Sequence, residues 1–265
     1  MDIGLKGKRA LVTAASQGLG RAIAEALVSE GCQVVISSRR QERLEEVADE
    51  ISRTCNVQKG TVIPIAADVT KNGDIQQLIK KAEQQLGGLD LLVTNAGGPP
   101  AGQFEQFSDE DWLAAVNLNL MSVVRLVRET LPIMKRSGGG KILNVSSMSV
   151  KQPIPNLILS NTIRTGTAAM LKTLAAEVAK DNIQVVNLAP GRIKTARLDS
   201  LDGARAEREG RPLEEVQAAE QEKVPMGRYG TPEEFGRLAA FLLSPANSYM
   251  TGQTVLADGG VVQSM

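Results

Sequence analysis

The chain has 265 residues, Lys+Arg and Asp+Glu both total 30, and aromatics make up 3%; neither a basic patch nor a base-stacking surface points to nucleic acid or an anionic membrane. It contains no histidine, which removes Ser–His and Cys–His nucleophile pairs and any His-bearing metal site, and no metal is expected. Cys32 and Cys55 are too few for a disulfide framework, no apolar run approaches the ~20 residues of a bilayer span, and the start MDIGLKGKRA lacks an apolar leader core, so a cytoplasmic protein is expected.

Ala10-Leu11-Val12 is an apolar run without polar alternation, as in a strand buried on both faces. It breaks at Thr13-Ala14-Ala15-Ser16-Gln17-Gly18-Leu19-Gly20, after which Leu19, Ile23, Ala26 and Leu27 recur at helical spacing. A strand, a small-residue turn and a helix start aim unpaired N–H groups and the positive end of a helix dipole at one point. That is where a pyrophosphate sits in dinucleotide-binding folds. Taken alone, the stretch also fits an ordinary glycine-rich strand-to-helix turn.

Gly31 closes this helix, and residues 32–38 read as a second buried strand followed by Arg39-Arg40. Residues 41–53 form a helix with Leu44, Val47, Ala48 and Ile51 on one side. A third strand over 61–67 ends in Asp68-Val69, and a helix over 74–86 stops at Gly87-Gly88. The fourth strand, 89–94, runs into Asn95-Ala96-Gly97. Ser108-Asp109-Glu110-Asp111 starts a long helix reaching about Lys135. A fifth strand (141–146), a helix (159–179) and a sixth strand (184–189) follow. Thr231-Pro232 opens a further helix, and 255–257 is a last short strand.

This alternation predicts one α/β domain over 1–265, a Rossmann-type doubly wound parallel sheet of about seven strands with helices on both faces. Residues 196–226, rich in charge and helix formers, are too long for a simple loop and are expected to form a mobile helical lid.

Five segments, in this order, resemble the short-chain dehydrogenase/reductase family, and within it the 3-oxoacyl-acyl-carrier-protein reductase-like branch, over residues 5–260. Thr13 to Gly20 is similar to the family's Thr-Gly-x-x-x-Gly-x-Gly loop, with Ala14 in place of the first glycine. The resemblance implies that Thr13, Ser16, Gln17, Gly18, Leu19 and Gly20 hold a cofactor diphosphate. Asp68 and Val69 match the pair that holds adenine, although a strand-end Asp capping the next turn would look the same. Thr94-Asn95-Ala96-Gly97 resembles the Asn-Asn-Ala-Gly that lines the cofactor. The segment from Trp112 to Leu120 places the family's active-site Asn on Asn119, and the spacing disfavours Asn117. Pro190-Gly191-Arg192-Ile193-Lys194-Thr195 resembles the loop that holds the nicotinamide carboxamide, which implicates Pro190, Gly191, Ile193 and Thr195.

At the end of the second strand an NAD enzyme carries an acid for the ribose 2′-hydroxyl. Here stand Ser38 and Arg39, and a guanidinium suits a 2′-phosphate. NADP(H) is therefore the expected cofactor and NAD(H) remains possible; a solvated arginine at a helix start is the other reading of Arg39.

Asn144-Val145-Ser146-Ser147 resembles the segment that places the catalytic serine, on Ser147. The family's Tyr-x-x-x-Lys falls on Ser160 and Arg164. A serine hydroxyl is a far weaker acid than a phenol, and Arg164 can grip the nicotinamide ribose but cannot relay a proton. Loss of a general acid costs about 10²–10⁴ in rate, so a slow reductase is expected, with a water near Ser160 donating the proton. Lys151 is either a surrogate acid or a surface lysine; Tyr229 and Tyr249 lie far downstream. Three outcomes stay open. The chain reduces a carbonyl (3-oxoacyl-like or another apolar ketone, as a small molecule or acyl thioester), reduces a carbon–carbon double bond, or binds NADP(H) without turnover as a sensor or scaffold. Residues 102–107, Met148, Ile154, Leu157 and the 196–226 segment are expected to border the substrate pocket. Family packing of the two longest helices implies a homodimer or homotetramer.

Overall fold

The unbroken apolar runs become the strands of a single sheet. In a computed structural model describing residues 2–264, these are β1 (Arg9–Thr13), β2 (Gln33–Ser38), β3 (Val62–Ala66), β4 (Leu91–Thr94), β5 (Gly140–Val145), β6 (Ile183–Pro190) and β7 (Gln253–Ala257). They pair in the order β3-β2-β1-β4-β5-β6-β7, and every pairing is parallel. Parallel neighbours require crossovers, which the helices supply: α1 (Gly18–Ser29), α2 (Gln41–Thr54), α3 (Asn72–Leu86), α4 (Asp109–Val116), α5 (Ser122–Arg136), α6 (Ile158–Val178) and α9 (Pro232–Leu243). Two further helices, α7 (Ala196–Glu209) and α8 (Leu213–Glu222), occupy the expected lid segment.

Side chains of each strand alternate between two cores. Ala10, Val12, Val34 and Ile36 join Leu27, Leu44, Ile51 and Phe235 on one face. Leu11, Val35, Ile142 and Val185 join Leu78, Leu126 and Leu171 on the other. Burial on both faces is why these strands lack polar alternation.

The helix boundaries follow their caps. α3 ends at Gly87, left-handed at φ +73. Capping boxes start α4 (Ser108 with Asp111) and α9 (Thr231 with Glu234). The long helix expected from residue 108 is interrupted: a single π-turn, Asn117–Met121, separates α4 from α5. No helix among the described residues is long and apolar enough to cross a membrane.

Because the strand order reverses direction between β1 and β4, the loops leaving those two strands diverge at their carboxyl ends and leave a crevice there.

Candidate functional site

The crevice floor is stitched together by polar atoms. Thr13 Oγ1 donates to the Asn95 carbonyl at 2.8 Å and accepts from the Asn95 N–H at 2.9 Å, joining the ends of β1 and β4. Asn95 Nδ2 also donates to the Ala14 carbonyl at 3.3 Å. Ala14 itself is left-handed, at φ +48, a conformation that favours glycine. The chain keeps the glycine-type turn here and carries the strain of a methyl in it.

Gly20 is where α1 meets this loop. A Cβ there would stand 2.4 Å from the Ala14 carbonyl oxygen and 2.7 Å from Asn95 Nδ2. Gly18 is also left-handed (φ +58), and α1 begins after Gln17 with no side-chain cap. The first-turn N–H groups of this partly exposed helix start therefore face the crevice without an acceptor from a capping side chain. Thr195, which caps α7 by accepting from the Leu198 N–H at 3.4 Å, lies across from Gly18. The preceding turn is tight: a Cβ on Gly191 would stand 2.5 Å from Asp258 Cα, and buried Ile193 pairs with Gly230. Pro190 closes β6, so this loop leaves the sheet beside the crevice.

At the far end of the crevice Ser38 ends β2 and Arg39 is exposed. Asp68 lies close enough to Arg39 to feel its charge. Its Oδ1 accepts from the Thr70 N–H (3.0 Å) and hydroxyl (2.7 Å), and its own N–H donates to Asp74. Burial pushes the Asp68 carboxyl up, but the two Thr70 hydrogen bonds and nearby cations outweigh it and hold it below the usual range. Asp68 thus caps its own turn, and its second oxygen remains available. Val69 packs against the second core.

The other wall holds the candidate catalytic groups. Asn119 sits in the π-turn between α4 and α5, a distortion that turns its side chain to the crevice loop. Its Nδ2 donates to the Gly97 carbonyl at 2.9 Å, while its buried Oδ1 has no protein partner. Asn117 does something else: it bonds the Thr70 carbonyl and accepts from Arg125, fastening the loop after β3. Ser147 follows β5 and accepts from the Ser149 N–H at 3.2 Å. Ser160 is buried in the first turn of α6, and Arg164 lies one turn later. Arg164 Nη1 donates to the Val145 and Ser146 carbonyls at 3.1 and 3.2 Å. Burial, then the positive charge of Arg197, pulls its guanidinium down to about 10, which leaves it charged at neutral pH. Arg164 and Asn119 line one cavity of about 10 Å³ together with Asn95, Asn144 and Thr167, room for about a single water.

Contacts therefore join the Ala14–Gly20 turn, Asn95–Gly97, Asn119, Arg164 and Thr195 around one crevice, while Arg192 and Ile193 line a separate cavity with Phe235 and Asp258. Ser38 and Arg39 stand at the end of β2, and Asp68 and Val69 follow β3. Neither tyrosine supplies a phenol to the crevice: Tyr229 donates to Asp202 at 2.8 Å, and Tyr249 is 99% exposed. Lys151 is exposed. Cys32 is buried, and its thiol is pushed up to about 12, so it is no nucleophile. Gly102 and Leu157 pair as a parallel bridge, which brings two of the expected pocket-bordering segments together.

Sequence reasoning missed two features. Arg192, inside the loop after β6, pairs with buried Asp202 and buried Glu220; Arg205 and Lys223 also reach Glu220. This ionic cluster binds α7 and α8 to the crevice wall. The second feature is Arg197, in the first turn of α7, whose Nη2 donates to the Pro99 carbonyl at 3.0 Å.

A family model described as enoyl-(acyl carrier protein) reductase matches residues 13–262. The chain is 35% identical over 264 residues to dehydrogenase/reductase SDR family member 4 of Sus scrofa, covering 98% of this chain and 89% of that protein. It is 32% identical over 258 residues to 3-oxoacyl-acyl-carrier-protein reductase of Thermotoga maritima, covering 97% and 99%. Among solved structures, L-sorbose reductase from Gluconobacter frateurii, complexed with NADPH and L-sorbose, matches with a TM-score of 0.93 at 32% identity over 100% of both chains.

Proposed function

The chain belongs to the short-chain dehydrogenase/reductase family, and on that premise we propose that it is an NADP(H)-dependent oxidoreductase that reduces a carbonyl compound. The observation that carries the reading is the uncapped start of α1 at the β1/β4 switch point, brought against the Ala14 turn by Gly20 and faced by Thr195. That cradle fits a diphosphate. The dinucleotide, when bound, supplies the hydride.

The chain's own residues divide the remaining work. Backbone N–H groups of residues 16–20 hold the diphosphate, with Thr13 fixing the loop. Arg39 and Ser38 take the 2′-phosphate, and Asp68 and Val69 the adenine. Asn95, Ala96 and Gly97 line the middle, and Pro190, Gly191, Ile193 and Thr195 orient the nicotinamide amide. Arg164 holds the ribose, and Ser147 donates to the substrate carbonyl oxygen. Asn119, with its unpaired Oδ1, holds a water in the cavity it shares with Arg164. A water beside Ser160 delivers the proton to the oxygen.

The relative crystallised with NADPH supports binding of NADP(H), and Arg39 gives the preference over NAD(H) its physical basis. A second reading, an NADP(H)-binding sensor or scaffold without turnover, is favoured by one observation. The position where the family resemblance calls for an acidic phenol holds the hydroxyl of Ser160, so positioning and charge are retained while the acid is lost. The exposed small residues of α6 (Thr162, Thr165, Gly166, Ala169, Thr173) support a homodimer or homotetramer packed through that face, and the segment from α7 to α8 is read as the lid.

Fluorescence titration with NADPH and NADH tests the cofactor, and oxidation of NADPH over ketones, 3-oxoacyl thioesters and enones tests the reaction. NADPH is expected to bind more tightly than NADH, with slow ketone reduction. Ser160→Tyr combined with Arg164→Lys is expected to raise that rate by about 10²-fold or more. Equal NADH affinity defeats the NADP(H) assignment. Tight NADPH binding without turnover of any substrate class, in the double variant too, favours the second reading.

A further inference from the structure

With 30 acids and 30 bases in the chain, several arginines in and around α7 and α8 are matched. Arg192 pairs with Asp202 and Glu220, Arg205 with Glu209 and Glu220, and Arg211 with Glu209 and Glu215. Arg197 and Arg208 are unmatched among the described residues, and of the two only Arg197 reaches the loop leaving β4. Among the described residues it makes no ion pair, and Asp199, in the same first turn of α7, does not approach it. Of its five N–H donors, one is spent, on the Pro99 carbonyl. That bond carries the side chain across from α7 to the loop leaving β4. There the guanidinium lies against Gly98, with Nη2 3.2 Å from where a Cβ would stand. The adjoining Gly97 carbonyl is the one that Asn119 holds.

Arg197 therefore sits on the lip of the crevice whose wall carries Arg164. Arg164 likewise bonds only main-chain carbonyls. Each guanidinium is pulled below its ordinary value by burial, Arg164 additionally by the charge of Arg197, and no carboxylate raises either one. Arg164 is enclosed, whereas Arg197 is exposed over much of its surface and only partly buried at its guanidinium. Two cations without a nearby carboxylate repel each other, and a bound anion relieves that repulsion.

Resting on the oxidoreductase reading above, we propose that Arg197 determines specificity for a substrate bearing an oxyanion, a carboxylate or a phosphate, which it binds at the crevice lip beside Arg164. The carbonyl to be reduced and the anionic group belong to one small molecule, so apolar ketones are the poorer substrates. Bidentate hydrogen bonds from a guanidinium already held by Pro99 give this contact direction as well as charge.

The test is calorimetric binding to the full chain saturated with NADP⁺, which does not depend on turnover. The probes are 4-oxocyclohexanecarboxylate against its methyl ester, and dihydroxyacetone phosphate against dihydroxyacetone. At least one anion is expected to bind about 10-fold or more tightly than its neutral counterpart, and the pair that shows the preference identifies the oxyanion. Arg197→Gln is expected to bring that ratio close to one while NADPH affinity stays within about twofold, and Arg197→Lys to restore part of it. Equal binding of both anions and their neutral counterparts overturns the proposal. So does an Arg197→Gln variant that keeps the ratio but loses NADPH affinity, which assigns Arg197 to the cofactor phosphates instead. If the unmodified chain fails to bind NADPH in the fluorescence titration, the dinucleotide reading fails first and takes this inference with it.

Discussion

Replacing Gly20 with alanine separates a packing role for this glycine from a merely flexible one. The new Cβ would stand 2.4 Å from the Ala14 carbonyl oxygen, about 0.6 Å inside the 3.0 Å that real Cβ contacts observe. Something must move, and α1 has little room to retreat. On its other side it is pressed on α9, where a Cβ at Gly236 would come within 2.4 Å of the Ala22 carbonyl. Forcing an extra methyl into such a contact costs about 1–3 kcal/mol. Alanine's better helix propensity returns at most about 1 kcal/mol. With the full return, the net loss of up to about 2 kcal/mol corresponds to a fall in Tm of up to roughly 8 °C for a chain of this size. If the loop yields instead of the helix, the Ala14 carbonyl leaves Asn95 Nδ2, the diphosphate cradle opens, and NADPH affinity drops by about 10-fold. Gly203→Ala is the matched control. It lies in α7 with nothing within 4 Å of the new Cβ, and should stabilise by about 0.5–1 kcal/mol. Thermal unfolding and NADPH titration read both variants. A Gly20→Ala protein with unchanged Tm and unchanged affinity would refute the packing argument.

Ala14→Gly removes strain of about 1–2 kcal/mol from a left-handed alanine and adds about 0.4–1 kcal/mol of unfolded-chain entropy. A gain of up to about 1.6 kcal/mol is expected in urea unfolding, and a loss of about 1 kcal/mol would contradict it. Asp90 is pushed up by burial, but Arg9, bonded to it at 2.8 Å by both Nε and Nη2, outweighs this and holds it below the ordinary range. A carboxyl depressed in the folded state stabilises above its unfolded pKa, near ~4, and loses that contribution as pH falls through the folded value. Asp90→Asn should therefore lower stability at pH 7 and flatten the acid limb below about pH 4, measured by urea unfolding across pH. Glu220→Gln leaves Arg192 and Arg205 facing a neutral amide between α7 and α8. Faster hydrogen exchange in α7 and α8 is expected, with the sheet unaffected; uniform protection would refute a local role for the cluster.

The sheet was legible because its strands are buried on both faces, so each appears as an uninterrupted apolar run ended by a turn residue. Helix faces were legible for the same reason in another period: Leu44, Val47, Ala48 and Ile51 are the buried residues of α2. What the pattern could not show is a change of one residue inside a helix. The π-turn around Asn119 leaves the spacing of apolar residues nearly intact, yet it decides that Asn119 reaches Gly97 while Asn117 turns to Thr70. The start of α3 at Asn72, ahead of the expected residue 74, has a related cause. Lys71 ends the extended stretch without a capping side chain, so composition carried no mark of the boundary.

Charge was the least legible quantity, because whether an arginine is satisfied depends on acids brought near by the fold. Arg205 could be paired on sequence alone, with Glu209 four positions on in the same helix. Arg192 could not, since Asp202 and Glu220 reach it only once α7 and α8 fold back. Arg197 carried a weak signal that local spacing might have exposed. The positions three and four away on either side are Lys194, Ile193, Ser200 and Leu201, and none is an acid. A helix-start arginine without a local partner is usually solvated. Here the bond to Pro99 holds it at the crevice lip, beside a second arginine with no acid of its own. The neutral total of the chain therefore conceals a local positive site, and its counter-charge is left for the substrate to bring.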